Sequence, residues 1–441
     1  MEILLATHNF YPYHWGGTEV YVHHLAKYLM LQGHQVTIIA AVGDQAFIEN
    51  PIIYSDKLLT ICTYSYEGIK VWGIKYHLFS TEQIYSKESL RHQESWLSFL
   101  SSFDNSYEIN ILHVHGFTAA IGLDLLYAVQ KKYSSIKTVC SYHTPISDPK
   151  ESLTFGNTFT ERKGKKNMLA DVLSYKLNIS YSITKFFSKL IPTFKLHDKL
   201  PSIFNFGYYT NLYVKAFSNL AAEVKEWWTY SEGTKNHLIE FGIAEDKVKF
   251  VRHGIAEIFI NNKNVSKQPT KFLFNGRMVI RKGFGTLLTA WLALPENSDK
   301  ELWLTADARS TNKRIQSLIN LAKLRKDIKW LGEVDQLKLS KIYTQVDTVI
   351  IPSEWFEVGP LVFHEAVSSG CRVIASDIGG CKELAAFYPY QSETFKTGDY
   401  HDLMLKIINN LEHSKSSNPE TKVMSFNEHF DQMINKSDIY G

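Results

Sequence analysis

The segment Pro352–Glu365 (PSEWFEVGPLVFHE) carries two carboxylates eight positions apart, Glu357 and Glu365, with Gly359-Pro360 between them. Gly-Pro marks a tight turn, and proline suits the first turn of a new helix. The spacing therefore predicts a loop bearing Glu357 and a helix starting near Pro360, with Glu365 in its second turn. Such a helix start, at Leu361 and Val362, offers unpaired N–H groups and the positive end of the dipole, which suit a phosphate. A loop carboxylate accepts hydrogens from sugar hydroxyls, and a second one on the helix can hold a ribose. A second group, Asn275–Gly283 (NGRMVIRKG), places Arg277 and Lys282 five positions apart after a predicted strand. Two cations on one strand-to-helix loop can clamp a diphosphate, arginine in a bidentate manner and lysine as a point charge. Gly283 and Gly285 begin a G-x-G, but Leu288 stands where a dinucleotide fingerprint needs its third glycine, which weakens NAD binding.

Two further groups lie nearer the amino terminus. Trp15-Gly16-Gly17-Thr18-Glu19 follows the first predicted strand and opens a helix, and paired glycines let backbone approach a ligand there. His113-Val114-His115-Gly116 closes another predicted strand, and alternation sends both histidines to one face. A metal reading lacks a third ligand at useful spacing. His364-Glu365 likewise lacks the second histidine of H-E-x-x-H, because position 368 is serine. No D-x-D triplet occurs in the chain, so the usual carboxylate handle for a Mg²⁺- or Mn²⁺-bound diphosphate is missing and no metal site is expected.

The elements that must hold these groups are strands and helices in alternation. Predicted strands are Ile3–Ala6, Val36–Val42, Asn110–Val114, Thr138–Tyr142, Glu226–Tyr230 and Lys249–Val251, then Phe272–Asn275, Leu302–Thr305, Ile328–Leu331, Thr348–Ile351 and Arg372–Ala375. Their continuous, β-branched-rich runs read as strands buried on both faces of a parallel sheet. Amphipathic stretches such as Glu19–Leu31 and Arg314–Leu324 lie between them. The alternation predicts an α/β protein of two Rossmann-like domains facing across a cleft. The boundaries fall at 1–254 and 255–424, with Asn261–Thr270 as a polar linker, a helical insertion at about 145–220, and a helix in 425–441 returning to the first domain. Ser231 reads as a helix N-cap.

Composition narrows the classes. Of 441 residues, 44% are hydrophobic and 21% charged, an ordinary globular balance. The 48 Lys plus Arg against 45 Asp plus Glu leave +3, which gives no general drive toward nucleic acid. Four cysteines without a C-x-x-C pair suit a reducing compartment. No signal peptide or bilayer-length apolar run is seen, so a cytoplasmic protein is expected, free or peripheral at the inner face of the membrane.

Taken together, the motifs resemble the retaining, nucleotide-sugar-dependent glycosyltransferases of family 4, which are built on the GT-B fold. The resemblance covers residues 1–143 and 225–441. It implies catalytic roles for Glu357 toward the donor sugar, for His115 over that sugar, and for Arg277 and Lys282 as the diphosphate clamp. It implies donor contacts from Gly16, Gly17, Gly359, Pro360, Leu361 and Val362, a ribose contact from Glu365, and Gly332 beside the base. The implied reaction transfers a sugar from a UDP- or GDP-type sugar to a saccharide or lipid-linked acceptor hydroxyl. It needs no separate cofactor, and the departing phosphate helps to deprotonate the acceptor. Polysaccharide or glycolipid biosynthesis is the implied setting. Two positions depart from the pattern: Ala306-Asp307-Ala308 replaces a glycine-rich turn, and His253-Gly254 replaces Asn-Gly at the hinge. The alternatives are a GT-B-fold nucleotide-sugar epimerase and a catalytically silent sugar-nucleotide binding module.

The insertion carries the basic run Arg162, Lys163, Lys165 and Lys166, then Lys185, Lys189, Lys195 and Lys199 beside Phe186, Phe187, Leu190, Ile191 and Phe194. An apolar stripe of this kind either packs on the core or lies at an anionic membrane surface.

Overall fold

The computed structural model describes residues 1–14, 16–77, 92–103, 108–116, 121–143, 170, 181–190, 222–240, 242–260, 270–297, 299–306, 308–310, 312–412 and 422–440. They form two sheets with helices packed on them. The first contains β1 (Glu2–Thr7), β2 (Gln35–Ala41), β3 (Ile52–Ser55), β4 (Leu59–Tyr66), β5 (Ile69–Tyr76), β6 (Ile111–His115), β7 (Lys137–Ser141), β8 (Glu226–Thr229) and β9 (Val248–Phe250). Their order is β3-β4-β5-β2-β1-β6-β7-β8-β9. The strands from β5 to β9 in that order pair in parallel, while β3 and β4 add an antiparallel edge. The second sheet contains β10 (Thr270–Phe274), β11 (Lys300–Leu304), β12 (Ile328–Trp330), β13 (Thr348–Ile351), β14 (Arg372–Ser376) and β15 (Ser392–Phe395). It is parallel throughout, in the order β12-β11-β10-β13-β14-β15.

This is the α/β, two-Rossmann architecture of a GT-B protein. The strand orders also fix where ligands bind. In each sheet the order reverses beside the first strand, between β1 and β6 and between β10 and β13. In open parallel sheets the crevice at the carboxyl ends of such strands receives the ligand. All four chemistry-bearing groups follow those four strands: Gly16-Gly17 after β1, His115 at the end of β6, Arg277 and Lys282 after β10, and Glu357 after β13.

Three strands escape the sequence reading altogether, namely β3, β4 and β5, and so does the short edge strand β15. The edge strand β3 (Ile-Ile-Tyr-Ser) is four residues long and mostly exposed, and β4 is buried over its first four residues only, with Thr, Ser and Tyr interrupting its apolar run, so neither reads as a continuous buried run. The turn between β4 and β5 was nonetheless written in the sequence. Glu67 and Gly68 both have positive φ, +48° and +83°, as a two-residue hairpin turn requires.

The carboxyl-terminal helix Phe426–Lys436 packs against the Gly17–Leu31 helix of the first half. Ser425 caps it in a capping box with Glu428. Just upstream, Ile255 bridges Ser425, and a Cβ on Gly254 would run into the Ser425 carbonyl. Only glycine lets the connection between the two halves pass this close to the returning chain. One buried apolar cluster therefore joins Tyr21, Leu25 and Leu29 of the first half to Phe363 and Val358 of the second, with Phe426 and Phe430 between.

Of the expected linker, 261–269 lies outside the described residues, as do the basic run 162–166 and most of the insertion. Within the insertion a helix spans Tyr181–Ser188. Its apolar stripe is not packed on the core: Ile183, Phe186, Phe187 and Leu190 are exposed, whereas Thr184 and Ser188 are buried. The helix thus turns two hydroxyl residues inward and its large apolar side chains outward.

Candidate active site

The second half of the site is built by two loops tied to each other. After β10 the chain turns through Gly276 and Arg277 into a short 3₁₀ turn, Ile280–Lys282, and Gly283 takes φ +66° before the Phe284–Ala293 helix. A Cβ on Gly283 would land on the carbonyl of Pro352, so glycine is required for the loop after β13 to pass. That second loop is fastened by Glu354 N donating to Arg281 O at 2.9 Å and by Thr286 Oγ1 donating to Glu354 Oε1 at 2.6 Å. These bonds bring the two candidate catalytic groups into contact. Lys282 Nζ donates to Glu357 Oε1 at 2.6 Å, and Ser353 Oγ donates to the same oxygen at 2.7 Å.

Burial alone would raise the Glu357 carboxyl. Lys282, the Ser353 hydroxyl and nearby Arg281 outweigh that effect and hold it below its ordinary value, so the group is an anion at neutral pH. Lys282 uses one N–H on Glu357, and an ammonium has three. The backbone of Glu357 is also fixed, its carbonyl accepting from Gly380 N at 2.6 Å.

The predicted helix begins at Leu361, with Pro360 as its N-cap residue and Glu365 in its second turn. Its first N–H groups have no partner within the helix. Glu365 is buried, and Tyr343 OH donates to its Oε2 at 3.1 Å. Burial raises its carboxyl to about 7, against the lowering effect of Tyr343. The two glutamates are thus prepared differently: Glu357 is an anion at neutral pH, whereas Glu365 titrates close to neutrality.

The first half faces this. Gly16 caps the Gly17–Leu31 helix in an extended conformation, and a Cβ there would meet Glu19 Oε2 at 2.7 Å. Glu19 is buried, which raises its carboxyl, while its own backbone N–H, His14 and the charge of Arg277 oppose the rise. Arg277 is exposed and acts on Glu19 across the cleft. Gly17 also reaches the other half, since a Cβ on it would lie 4.0 Å from Leu361 Cδ1. Gly359 lies against His253, where a Cβ would stand 3.1 Å from the ring.

His113 and His115 are both buried on one face, stacked 4.3 Å apart. They are used differently. His113 is satisfied on both nitrogens, by Tyr440 OH at 2.7 Å and Ser141 Oγ at 2.8 Å, so it is structural. His115 Nδ1 lies 3.1 Å from His143 Nε2, and its buried Nε2 has no partner. Burial, with His113 and His143 nearby, pushes its pKa well below the usual imidazole value, so it is neutral.

Among the sequence candidates, Gly16, Gly17, Arg277, Lys282, Glu357, Gly359, Pro360, Leu361 and Val362 gather at the facing carboxyl edges of the two sheets. Gly332 does not join them by contact. It follows β12, an edge strand two places from β10, with φ +70°. Asp307, one of the departures from the family pattern, lies outside the described residues. Ser231 is an N-cap as predicted, its Oγ accepting from Thr234 N at 3.2 Å. Sequence reading missed Ser353, Tyr343 and His143. His143 directly follows a predicted strand, which was a usable signal, whereas Ser353 and Tyr343 are ordinary residues that only the fold brings to the glutamates. Among the described residues no group of three or more His, Cys, Asp or Glu is placed to hold a metal ion. A groove lined by Arg372, Tyr390, Gln391 and Asn410 opens at the opposite, amino ends of β14 and β15, away from all of these residues.

The fold and its facing loops define a two-domain GT-B protein, and comparison with known proteins agrees. Residues 256–422 match the family described as glycosyl transferases group 1, and residues 15–177 match glycosyltransferase family 4. The chain belongs to these family 4-like glycosyltransferases. An uncharacterized glycosyltransferase of Methanocaldococcus jannaschii is 29% identical over 170 residues, which is 35% of this chain and 43% of that protein. The match therefore spans less than half of that relative's length. Sucrose-phosphate synthase from Thermosynechococcus elongatus superposes with a TM-score of 0.61 at 13% identity, covering 100% of this chain and 95% of that one. A glycosyltransferase from Rickettsia africae gives 0.56 at 16%, covering 99% and 93%. Anabaena HepE in complex with UDP and glucose gives 0.56 at 14%, covering 99% and 95%. At these identities the likeness is one of fold.

Proposed function

We propose that the protein is a retaining, metal-independent glycosyltransferase that moves a sugar from a nucleoside-diphosphate sugar to an acceptor hydroxyl. The observation that carries this reading is the Lys282–Glu357 ion pair at 2.6 Å beside the helix start at Leu361. One loop then supplies an anion for sugar hydroxyls, and its neighbours supply positive charge for the diphosphate. In the step, the bond between the anomeric carbon and the diphosphate oxygen breaks. The acceptor oxygen bonds to the same face, and its proton passes to the departing diphosphate. Negative charge grows on that leaving group, so Arg277, the two spare N–H groups of Lys282 and the amides of Leu361 and Val362 lower the barrier. Glu365, its carboxyl raised to about 7 and so partly protonated near neutrality, suits a ribose hydroxyl as donor or acceptor. No separate cofactor is needed. That a fold neighbour binds UDP and glucose supports a nucleotide-sugar donor.

A panel of UDP-, GDP- and ADP-sugars, read as diphosphate release with and without saccharide acceptors, tests the reading. Release from one donor, raised by acceptor, is expected. Interconversion of the donor sugar without release would favour an epimerase, and binding without turnover a silent module.

We further propose a cytoplasmic protein that reaches a lipid-linked or surface-polysaccharide acceptor by peripheral attachment to an anionic membrane. Ile183, Phe186 and Phe187 follow i, i+3, i+4 spacing on one exposed face of the helix, and Leu190 just beyond it, Lys185 and Lys189 are exposed as well. No described helix is long and apolar enough to cross a membrane. Co-sedimentation with anionic but not neutral liposomes, lost on Lys185→Glu/Lys189→Glu, is expected. Binding that ignores lipid charge would overturn it.

A further inference from the structure

His115 sits in a column of rings that runs from the first sheet to the donor loop of the second. His113 stacks on His115 at 4.3 Å and 22°, and His115 on His143 at 5.4 Å and 25°. His143 stacks on Tyr230 at 4.8 Å and 22°, and Tyr230 on His253 at 3.9 Å and 18°. His253 in turn lies against Gly359, between Glu357 and the helix start. The column is clamped from the side by Tyr21, whose ring lies 4.9 Å from His143 and 5.2 Å from both Tyr230 and His253. Tyr21 is itself fixed by a 3.1 Å bond from its hydroxyl to His429 Nε2 on the returning helix.

Within this column two buried ring nitrogens lack a partner, His115 Nε2 and, at the end nearest Gly359, His253 Nδ1. His113 has both nitrogens engaged, whereas His115 has Nδ1 engaged by His143 and Nε2 buried without a partner. A neutral imidazole carries one proton on one of two nitrogens, and the hydrogen bond at one nitrogen decides which. Without a partner at Nδ1 the ring would exchange between tautomers and between flipped orientations, so Nε2 would present a donor part of the time and an acceptor otherwise. A buried polar atom left unpaired is costly, and a ligand hydroxyl can relieve that cost.

We propose that His143 is a positioning residue for His115: its 3.1 Å hydrogen bond to Nδ1 fixes the tautomer and orientation of the His115 ring and reserves Nε2 for the donor sugar. The assignment rests on the glycosyltransferase reading for the identity of the ligand, but the tautomer lock itself does not. His143 is the right group for the task because its own ring is held by Tyr230, Tyr21 and His253, so the bond is preorganised. The contact with Gly359 through His253 also means that the donor loop and the His115 ring are set by one rigid stack.

Two measurements decide it. In the first, His143→Phe, which keeps the stack and removes the hydrogen bond, is compared with His143→Gln, which keeps a polar amide. Diphosphate release from a panel of UDP-glucose, GDP-mannose and ADP-glucose is followed. We expect His143→Phe to lower kcat about tenfold with KM for the donor nearly unchanged, since a mispositioned group costs rate. His143→Gln should recover most of that loss. In a His115→Ala background, His143→Phe should cost nothing further, because its effect passes through His115. Additive losses in the double variant, or wild-type kcat in His143→Phe, would overturn the proposal.

The second measurement needs no substrate. Ring ¹⁵N spectra of histidine-labelled protein, with His115 assigned by its disappearance in His115→Ala, should show one tautomer in the wild type. A tautomer mixture should appear in His143→Phe. The same single tautomer in both would overturn the proposal. If the wild-type protein turns over no donor in the panel, the glycosyltransferase reading falls while the spectra still test the lock.

Discussion

The two sides of the cleft are prepared in opposite ways. The second half presents charge: Lys282 against Glu357, with Arg277 exposed beside them. The first half presents neutral rings, the buried His113, His115 and His253 and the half-buried His143, all with pKa values pushed down by burial and by neighbouring histidines. The charged side is held by a few short bonds between adjacent loops. The neutral side is held by stacking over residues from β6, β7, β8, the hinge and the carboxyl terminus. A charged side suits a leaving group on which charge develops, and a neutral dry side suits orientation of an uncharged sugar. The contrast makes separable predictions, because charge removal should cost turnover most, while disturbance of the rings should cost less turnover and more stability.

The largest effect is expected on the charged side. Lys282→Ala and Arg277→Ala should each lower diphosphate-release kcat by about 10²–10³ while the circular dichroism spectrum stays native. Near wild-type turnover in both would remove the clamp.

A smaller effect is expected where the two halves are strapped together. Glu383 accepts from Glu232 N at 3.0 Å and Gly233 N at 3.2 Å, and pairs with Arg252 at 3.1 Å. It thereby caps a first-half helix from the second half. Glu383→Ala should cost about 1–3 kcal/mol in denaturant unfolding, the range for losing a cap and stranding a partly buried cation. A loss confined to KM, with unchanged stability, would show that the strap serves the substrate instead.

Acid should test the neutral side. Burial pushes His143 and His364 down to about 3, and His24 and His429 to about 4, from 6.5. Between 6.5 and those values the unfolded chain binds more protons than the folded one, so stability falls as pH falls. Glu365 runs the other way. Its carboxyl is raised from 4.5 to about 7, so its contribution is present in acid and lost as pH rises through about 7. Four histidines outnumber one glutamate, and the thermal midpoint should drop from pH 7 to pH 5. A flat or rising midpoint over that interval would mean that the ring cluster is hydrated and charged.

The smallest expected effect is none. Diphosphate release should survive EDTA, since no D-x-D handle exists in the sequence. Full loss restored by Mn²⁺ would place a cation on the charged side.

The same contrast explains what the sequence could and could not tell. The charged side was readable because its parts lie within short windows, Gly276–Gly283 and Pro352–Glu365, where turn residues, a helix start and charge spacing carry the chemistry locally. Apart from β5 and β15, the parallel strands were readable from their buried runs, with ends displaced by no more than two residues. The ring column was not readable. His143 is 28 positions from His115, and Tyr440 is 327 from His113. Only strand order and the returning helix bring them together. Nor could spacing show that Glu357 would be an anion and Glu365 close to half-protonated at neutral pH, because Ser353, Lys282 and the depth of burial decide that. The outward-facing Phe186 and Phe187 were a matter of which face the chain turns in, which periodicity alone leaves open.

The central claim is that a nucleoside diphosphate is held by the loop of Arg277 and Lys282 against the helix start at Leu361. Isothermal calorimetry of UDP, GDP and ADP, each with its monophosphate, into the wild-type protein and Lys282→Ala tests this without any acceptor. One diphosphate should bind the wild type, its affinity for Lys282→Ala should fall by about tenfold or more, and the monophosphate should be far less affected, as expected for loss of a charge-assisted contact to the terminal phosphate. Equal affinity of the two proteins for every diphosphate would contradict the account.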